Sequence, residues 1–472
     1  MAKSMRTTRE LAAKFSLELI GDASLEVTGI AINTSHMTAG SLFIAAPGER
    51  SHGLEHLDQA IASGAVAVLS DRREKLRVPN LYHPNPREIA GDLSDFIYGT
   101  AEANMLLYAV TGTNGKTSTA YFLSELLRAL GQSTGLISST FSSVGATTFS
   151  ADLTTPEAPR VHQLLALMRD NNQSSAVIEA SAQGLSRGRL QGLHFRVAGF
   201  TNLSRDHLDD YPDMERYLEA KARLFGADYA DKAVVLVEDE YSKRLFDQIQ
   251  IPKVTIGGDY ELRFQNSLIQ IDGKQSLSAR VSLPALMAKN LGLALVMLLE
   301  DHYAPEKLER ALETISLEVP GRLQKVSDRK PFVFVDYAHT PAAVASSARE
   351  LSGEFDFLTI VLAASGDRDS GKRPQMAASA AKYANKIVVT DQHPRSEDPA
   401  VIRRDLIAGL GDFNDYVEMA DPQNAIEAAI ALTPHSGAIL WCGPGHLKYR
   451  EIAGQKVSFD AIEIARKALE SD

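Results

Sequence analysis

The stretch Thr111–Gly112–Thr113–Asn114–Gly115–Lys116–Thr117–Ser118 holds the residue types that bind a polyphosphate. Its glycines let successive backbone N–H groups turn toward one anion, and a following helix would present its N-terminus to the same point. Lys116 supplies positive charge for the outer phosphates, and the Thr117 hydroxyl suits Mg²⁺. The spacing departs from G-x-x-x-x-G-K-[ST], because Val110 stands at the first glycine position. A chance Gly-Lys-Thr turn is the plainer alternative. Against it, the apolar run Met105–Val110 precedes the loop. An amphipathic pattern follows it from Lys116 to Leu130, with Phe122, Leu123, Leu126, Leu127 and Leu130 on one face. Kinases, GTPases, motor ATPases and ligases all use such a loop, so it indicates a nucleotide and leaves the reaction open.

The elements that must position this loop fall into three α/β segments. The first, to about Ala103, has short apolar runs (Ser41–Ala45, Ala65–Leu69) between turn-prone Pro47–Gly48 and His83–Pro84–Asn85–Pro86. The second, from 104 to 318, opens with the strand–turn–helix just described, which begins a doubly wound sheet. It continues with continuous apolar runs at Ala176–Ile178, Val197–Phe200 and Val234–Val237, the pattern of parallel strands covered on both faces. A helix is expected from Met214 to Phe225. The third, from 319 to 472, alternates strands (Phe332–Val335, Leu358–Leu362, Ile387–Val389, Ala438–Trp441) with helices near Ala342–Leu351, Pro374–Ala384, Pro399–Leu410 and Ile462–Leu469. The fold class is therefore α/β in three domains: a small N-terminal one, a central phosphate-loop ATPase-type domain with a mostly parallel sheet, and a Rossmann-like C-terminal one.

Bulk properties narrow the function. At 472 residues the chain exceeds a single core, and 44% hydrophobic with 23% charged residues is ordinary for a globular protein. A net charge of −11 argues against a general nucleic-acid surface but leaves room for local phosphate pockets. Met1–Glu10 is polar and no run approaches the roughly 18 apolar residues of a membrane span, so a cytoplasmic location is expected. The one cysteine, Cys442, excludes an internal disulfide and reads as a small buried hydrophobe.

From the phosphate loop onward the chain resembles the Mur ligases, a family that includes folylpolyglutamate synthetase. Three longer stretches resemble the UDP-MurNAc-dipeptide ligase (MurE, tripeptide synthetase) branch in particular. They are Thr201–Asn202–Leu203–Ser204–Arg205–Asp206–His207–Leu208–Asp209 running on to Lys221–Phe225, Asp336–Pro341, and Gly366–Asp367–Arg368–Asp369–Ser370–Gly371–Lys372–Arg373–Pro374. The resemblance implies ATP-dependent amide formation through an acyl phosphate, on a UDP-MurNAc-dipeptide and a free amino acid, by a monomer in peptidoglycan synthesis. It also implies that the first domain binds the UDP-sugar and the third the amino acid.

The chemistry agrees with that implication. An amide made from a carboxylate needs a leaving group, and both phosphoryl transfer and amine attack concentrate negative charge. Mg²⁺ and cationic side chains answer that need. Carried over by position, Glu179 and His207 become metal ligands, and Lys221 a carbamate (N6-carboxylysine), anionic and so able to accept Mg²⁺. Asn290, Arg322, Asp336 and His339 lie with the nucleotide. Thr154, Thr155, Ser181 and Arg189 face the UDP-MurNAc-peptide. Arg368, His393, Arg395 and Gly443 face the incoming amino acid, the arginines matching a carboxylate's two oxygens.

The chain also departs from the family pattern. Asn33–Thr34–Ser35 stands for Asp-Ser-Arg, Ser181–Ala182–Gln183 for Ser-Ser-His, and Met287 for an asparagine near the adenine site. Where diaminopimelate-adding members carry Asp-Asn-Pro-Arg and Gly-Lys-Gly-His-Glu, this chain has Asp391–Gln392–His393–Pro394–Arg395 and Gly443–Pro444–Gly445–His446–Leu447. Leu447 offers no acceptor for a distal ammonium. Lysine, ornithine, diaminobutyrate, diaminopimelate or another third residue stays open. Two alternatives stand beside the cell-wall ligase. One is a divergent Mur-type ligase acting on another carboxylate. The other is a non-catalytic nucleotide-binding regulator, which the presence of Lys116, Glu179, His207 and Lys221 together disfavours.

Overall fold

The structure is a computed structural model that describes residues 6–48, 51–101, 104–151 and 153–471, with side chains to residue 470. The expected boundary at Ala103 and the first residues of the polar N-terminus lie outside the described residues. Each of the three segments contributes one main sheet.

The first sheet has five strands in the order Glu18–Ile20, Asn80–Tyr82, Ala65–Ser70, Ser41–Ala45, Gly29–Ala31. Only Glu18–Ile20 runs antiparallel. The central sheet has eight strands, ordered Thr147–Ser150, Phe141–Val144, Thr134–Ile137, Ser175–Glu179, Leu106–Thr111, Val197–Phe200, Ala233–Leu236, Lys253–Ile256. The last six are mutually parallel. Their side chains alternate between two cores, which is why the runs carry no polar alternation. Tyr108 and Val110 pack with Phe122, Leu126 and Leu293 on one face. Ala109 and Ile178 pack with Val161, Leu165 and Leu218 on the other. The C-terminal sheet is ordered Gln324–Lys325, Phe332–Asp336, Ala438–Cys442, Leu358–Leu362, Lys386–Val389, Tyr416–Glu418, parallel except at its first strand. Cys442 is fully buried in it, as expected.

Several elements lie beyond the sequence reading. The Phe141–Val144/Thr147–Ser150 hairpin, the three-stranded sheet Glu261–Gln265, Leu268–Asp272, Leu277–Arg280, and the hairpin Tyr449–Ile452/Gln455–Ser458 are short strands rich in polar residues. Their apolar content is too thin to stand out as runs. The helix expected over Met214–Phe225 is α-helical only to Ala222 and tightens to 3₁₀ over Arg223–Phe225.

The first domain is fixed to the central one through backbone. Arg169 Nη1 donates to the carbonyls of Tyr98 (2.6 Å) and Gly99 (3.2 Å), where the helix Ala90–Tyr98 ends. These are carbonyls a helix terminus leaves unpaired. The C-terminal domain docks through a core continuous with the central one. Glu350 accepts from the backbone N–H groups of Ala285 and Leu286 (3.0 Å for the latter), capping the long helix Ala285–Glu300.

Candidate active site

In the central sheet the chain winds first to one side of Leu106–Thr111 and later to the other. The ends at Thr111, Glu179 and Phe200 therefore open side by side where the winding reverses, the usual ligand crevice of such sheets. The phosphate loop leaves the first of these and enters the helix Lys116–Ala129. Gly112 (φ 144°) and Gly115 (φ 86°) take backbone conformations that side chains rarely adopt. A Cβ at Gly112 would run into the Thr201 hydroxyl, and one at Gly115 into the Asn290 amide. The segment after Phe200 braces the loop. Thr113 N donates to Asn202 O (2.8 Å), Asn114 N to Asn202 Oδ1 (3.0 Å), and Thr201 Oγ1 to Asn114 O (2.7 Å). Ser118 is buried in the first helical turn.

Two lysines meet on this loop. Lys116 Nζ donates to the carbonyls of Gly112 (3.1 Å) and Thr113 (2.8 Å), and Lys221 Nζ donates to the same Gly112 carbonyl (2.7 Å). Burial lowers the Lys116 pKa, with Glu179 and Asp206 pulling the other way. Lys221, 1% exposed, is held well below the ordinary lysine range by burial, reinforced by Lys116. Glu179 is fully buried. Its Oε1 accepts from Ser139 N (3.3 Å), and its Oε2 has no partner. Burial raises its pKa while Lys116 and Arg322 oppose the rise. A buried oxygen with no donor beside a hydroxyl and a deprotonation-prone amine fits a cation.

The C-terminal domain closes over this cluster. Arg322 Nη2 donates to Thr117 Oγ1 (2.9 Å), its guanidinium lies 4.6 Å over the Tyr337 ring, and His446 Nε2 meets Ser139 O (2.9 Å). Thr117 Oγ1 also meets Ser139 Oγ (2.9 Å). Asp336 is buried, and its carboxylate accepts from the backbone of Leu323 (2.5 Å) and Ala338 (2.6 Å), so here it organises the loop that carries Arg322. His339 reaches toward Asp206 (3.7 Å).

Asp206 is the hub that the sequence reading missed. It is 4% exposed and meets Lys372 of the C-terminal domain at 3.2 Å and His207 at 3.4 Å. Burial acts upward on its pKa. The His339 hydrogen bond, with His207 and Lys372, overcomes that and holds it well below the usual carboxylate range. Around it Arg368 pairs with Asp209 (3.4 Å) and Arg205 with Asp369 (3.5 Å), all across the domain junction. Gln183, standing where the resemblance has histidine, donates to His207 Nδ1 (2.9 Å) and Asp210 (2.8 Å). Both ring nitrogens of His207 thus have partners, and burial, against Asp206, brings its pKa down to about 4. The only available sequence signal was charge of both signs in the two long motifs.

The remaining candidates form two groups. Thr155 Oγ1 donates to Glu179 O (2.7 Å) and Ser181 Oγ (3.0 Å), and Arg189 Nη1 to Thr155 O (3.0 Å). The 6%-exposed Arg189 also pairs with Glu157 (2.9 Å). Thr154 adjoins them, half-buried. In the C-terminal domain the loop of His393 and Arg395 is stitched to the Tyr449–Ile452 strand. Glu451 N donates to His393 Nδ1 (3.0 Å), and Arg395 N to Glu451 O (3.0 Å). His393 Nε2 is buried without a partner, and burial, then Arg395 and Arg450, brings its pKa down to about 4. Gly443 (φ 112°) adjoins Gln392. Arg395 approaches Gly366, beside Arg368.

Fold and site together define a nucleotide-dependent enzyme whose phosphate loop is completed by a second domain. Residues 110–281 match the Mur ligase middle domain, 321–445 the Mur ligase, glutamate ligase domain, and 26–129 the Mur ligase family, catalytic domain. The chain is 39% identical to the UDP-N-acetylmuramyl-tripeptide synthetase of Leifsonia xyli subsp. xyli, over 98% of this chain and 96% of that one. It is 36% identical to the UDP-N-acetylmuramoyl-L-alanyl-D-glutamate–2,6-diaminopimelate ligase of Corynebacterium efficiens, over 98% and 94%. A solved structure of a ligase of that second name superposes with TM-score 0.65 at 26% identity, covering 99% of each chain. MurF from Acinetobacter baumannii shares the fold, with TM-score 0.73 at 17% identity over the full length of both. The chain belongs to the Mur ligase family of ATP-dependent amide ligases.

Gly115→Ala tests the loop. The substitution forces a side chain into a left-handed position at about 1–2 kcal/mol and drives its Cβ into the Asn290 amide, so the loop must shift and ATP should bind on the order of tenfold more weakly by calorimetric titration while the protein stays folded. Unchanged affinity would show that this turn does not carry the nucleotide.

Proposed function

We propose that the chain adds the third amino acid to UDP-N-acetylmuramoyl-L-alanyl-D-glutamate, coupling amide formation to ATP through an acyl phosphate. The observation that carries this reading is the convergence of Lys116, Glu179 and Lys221 with Arg322, which arrives from the other domain and reaches Thr117 at 2.9 Å. The names and full-length extent of the relatives support the same substrate.

On this reading the backbone of Gly112–Ser118 and the Lys116 ammonium hold the outer phosphates, with Asn290, Asp336 and His339 lining the nucleotide's remainder. Arg322 supplies a second cation as charge moves from ATP to the carboxylate. Thr154, Thr155, Ser181 and Arg189 orient the peptide whose carboxylate is activated. The carboxylate oxygen takes the γ-phosphoryl and ADP leaves. The amine then attacks the acyl carbon, and phosphate leaves carrying that oxygen. Mg²⁺ on Glu179, Thr117 and a carbamylated Lys221, with His207 adjacent, would neutralise the phosphate charge. Burial suits Lys221 to carbamylation, because a neutral amine adds CO₂ to give an N-carboxylate and one proton. Arg395 and Arg368 suit the incoming amino acid's carboxylate. His393 and Gly443 shape the pocket around it, and we read the third residue as a diamino acid.

The reading also carries a monomer working in the cytoplasm. Among the described residues no helix is long and apolar enough to cross a membrane.

Phosphate release from ATP should require both UDP-N-acetylmuramoyl-L-alanyl-D-glutamate and one preferred amino acid from a panel of lysine, ornithine, diaminobutyrate and diaminopimelate. Absence of release with every member would move the substrate to another carboxylate. Lys116→Ala should lower turnover at least ~100-fold, the scale of one preorganised charge contact, in a folded protein. Near-native turnover would remove Lys116 from the reaction.

A further inference from the structure

Arg373 is a buried charge, 2% exposed, that the chemistry above leaves unused. It stands in the first turn of the helix Lys372–Ala381, where two carboxylates face it. Nη1 donates to Asp405 (2.9 Å), and Nη2 lies 2.8 Å from both oxygens of Glu397. The two acids differ in what else they hold. Glu397 Oε1 also accepts from the backbone N–H of Asp367 (2.5 Å), and the N–H of Glu397 closes a turn onto Pro394 O (3.0 Å). One residue therefore joins the turn just before Arg368 to the turn that contains Arg395. Asp405 touches neither turn through any hydrogen bond among the described residues.

That joint is tight. Gly366 N donates to His393 O (2.8 Å), and a Cβ on Gly366 would meet Pro394 O at 2.1 Å. Ser396 donates to the Asp367 carboxylate through Oγ (2.7 Å) and N (3.1 Å). Asp367 (φ 51°) and Arg395 (φ 53°) both hold left-handed backbones, which residues with a side chain keep only where the surroundings impose them. We propose that Glu397 is a positioning residue: seated on Arg373, it sets the spacing of Arg368 and Arg395 for the carboxylate of the incoming amino acid. The inference rests on the reading of those two arginines given above. Paired guanidiniums match a carboxylate's oxygens only at a fixed separation and orientation. Long side chains reach that precision only when the backbone beneath them is already fixed.

The test follows phosphate release from ATP by the full chain, with UDP-N-acetylmuramoyl-L-alanyl-D-glutamate and each of the four amino acids named above. Wild type, Glu397→Gln and Asp405→Asn are compared. Each variant takes one carboxylate from Arg373, so both should melt at lower temperature, but only Glu397→Gln frees the turn before Arg368. The half-saturating concentration of the preferred amino acid should rise about tenfold in Glu397→Gln, the scale of one hydrogen bond to a charged group. That of ATP should not move, and Asp405→Asn should leave both values as in wild type. Ser396→Ala, exposed on the same joint, removes one Asp367 contact without touching Arg373 and should raise the amino-acid value about threefold. It carries the test if Glu397→Gln does not fold. An amino-acid value equal to wild type in Ser396→Ala and in a folded Glu397→Gln overturns the positioning role, and so does an equal rise in Asp405→Asn. A wild type that releases no phosphate with any of the amino acids overturns the substrate reading beneath it.

Discussion

The carbonyl oxygen of Gly112 accepts from two lysines at once, Lys116 at 3.1 Å and Lys221 at 2.7 Å, and much of the site follows from that concentration of positive charge. Two amines this close repel if both are protonated, and burial makes the repulsion expensive. Lys221 answers by falling well below the ordinary lysine range. Glu179 answers by lying fully buried beside them with one oxygen unpartnered. Two buried amines and a buried carboxylate are thereby gathered around one glycine-rich turn. With glycine at 112 and 115 the turn brings that carbonyl and both lysines to one point.

The rest of the molecule keeps that point closed and correctly lined. Parallel strands put the ends at Thr111, Glu179 and Phe200 side by side, and the segment after Phe200 ties the loop down through Thr201 and Asn202. The C-terminal domain is held by charge as well as by core. Asp206, nearly fully buried, stays ionised because Lys372 and His339 reach it from the opposite domain. Removing one partner of such a pair leaves a buried charge uncompensated, so docking and site electrostatics are coupled. Arg322 crosses the same junction to Thr117, so the docked C-terminal domain places a guanidinium beside the phosphate loop.

How much of this was legible depended on whether the physical signal was local. The buried parallel strands read as continuous apolar runs, and Leu358–Leu362 and Val197–Phe200 appear with the expected bounds. The phosphate loop was visible because its glycines, lysine and helix are contiguous. The edge hairpins were not, since half-exposed strands such as Thr147–Ser150 have no apolar run. Lys221 could not be told from a surface lysine by composition, and family resemblance alone singled it out. Its burial is a tertiary fact. The Asp206–Lys372 pair joins residues 166 positions apart, and Gln183 matters through what it touches in space, His207 and Asp210.

The central claim is that this site activates a carboxylate by phosphorylating it, and isotope transfer tests that directly. UDP-N-acetylmuramoyl-L-alanyl-D-glutamate is labelled with ¹⁸O in the reacting carboxylate, turned over with ATP and the preferred amino acid, and the released phosphate is weighed by mass spectrometry. The account predicts one ¹⁸O in each phosphate released, because the bond broken by the amine leaves the carboxylate oxygen on phosphorus. Unlabelled phosphate, formed at the same rate as product, would contradict it and place the activation of the carboxylate elsewhere.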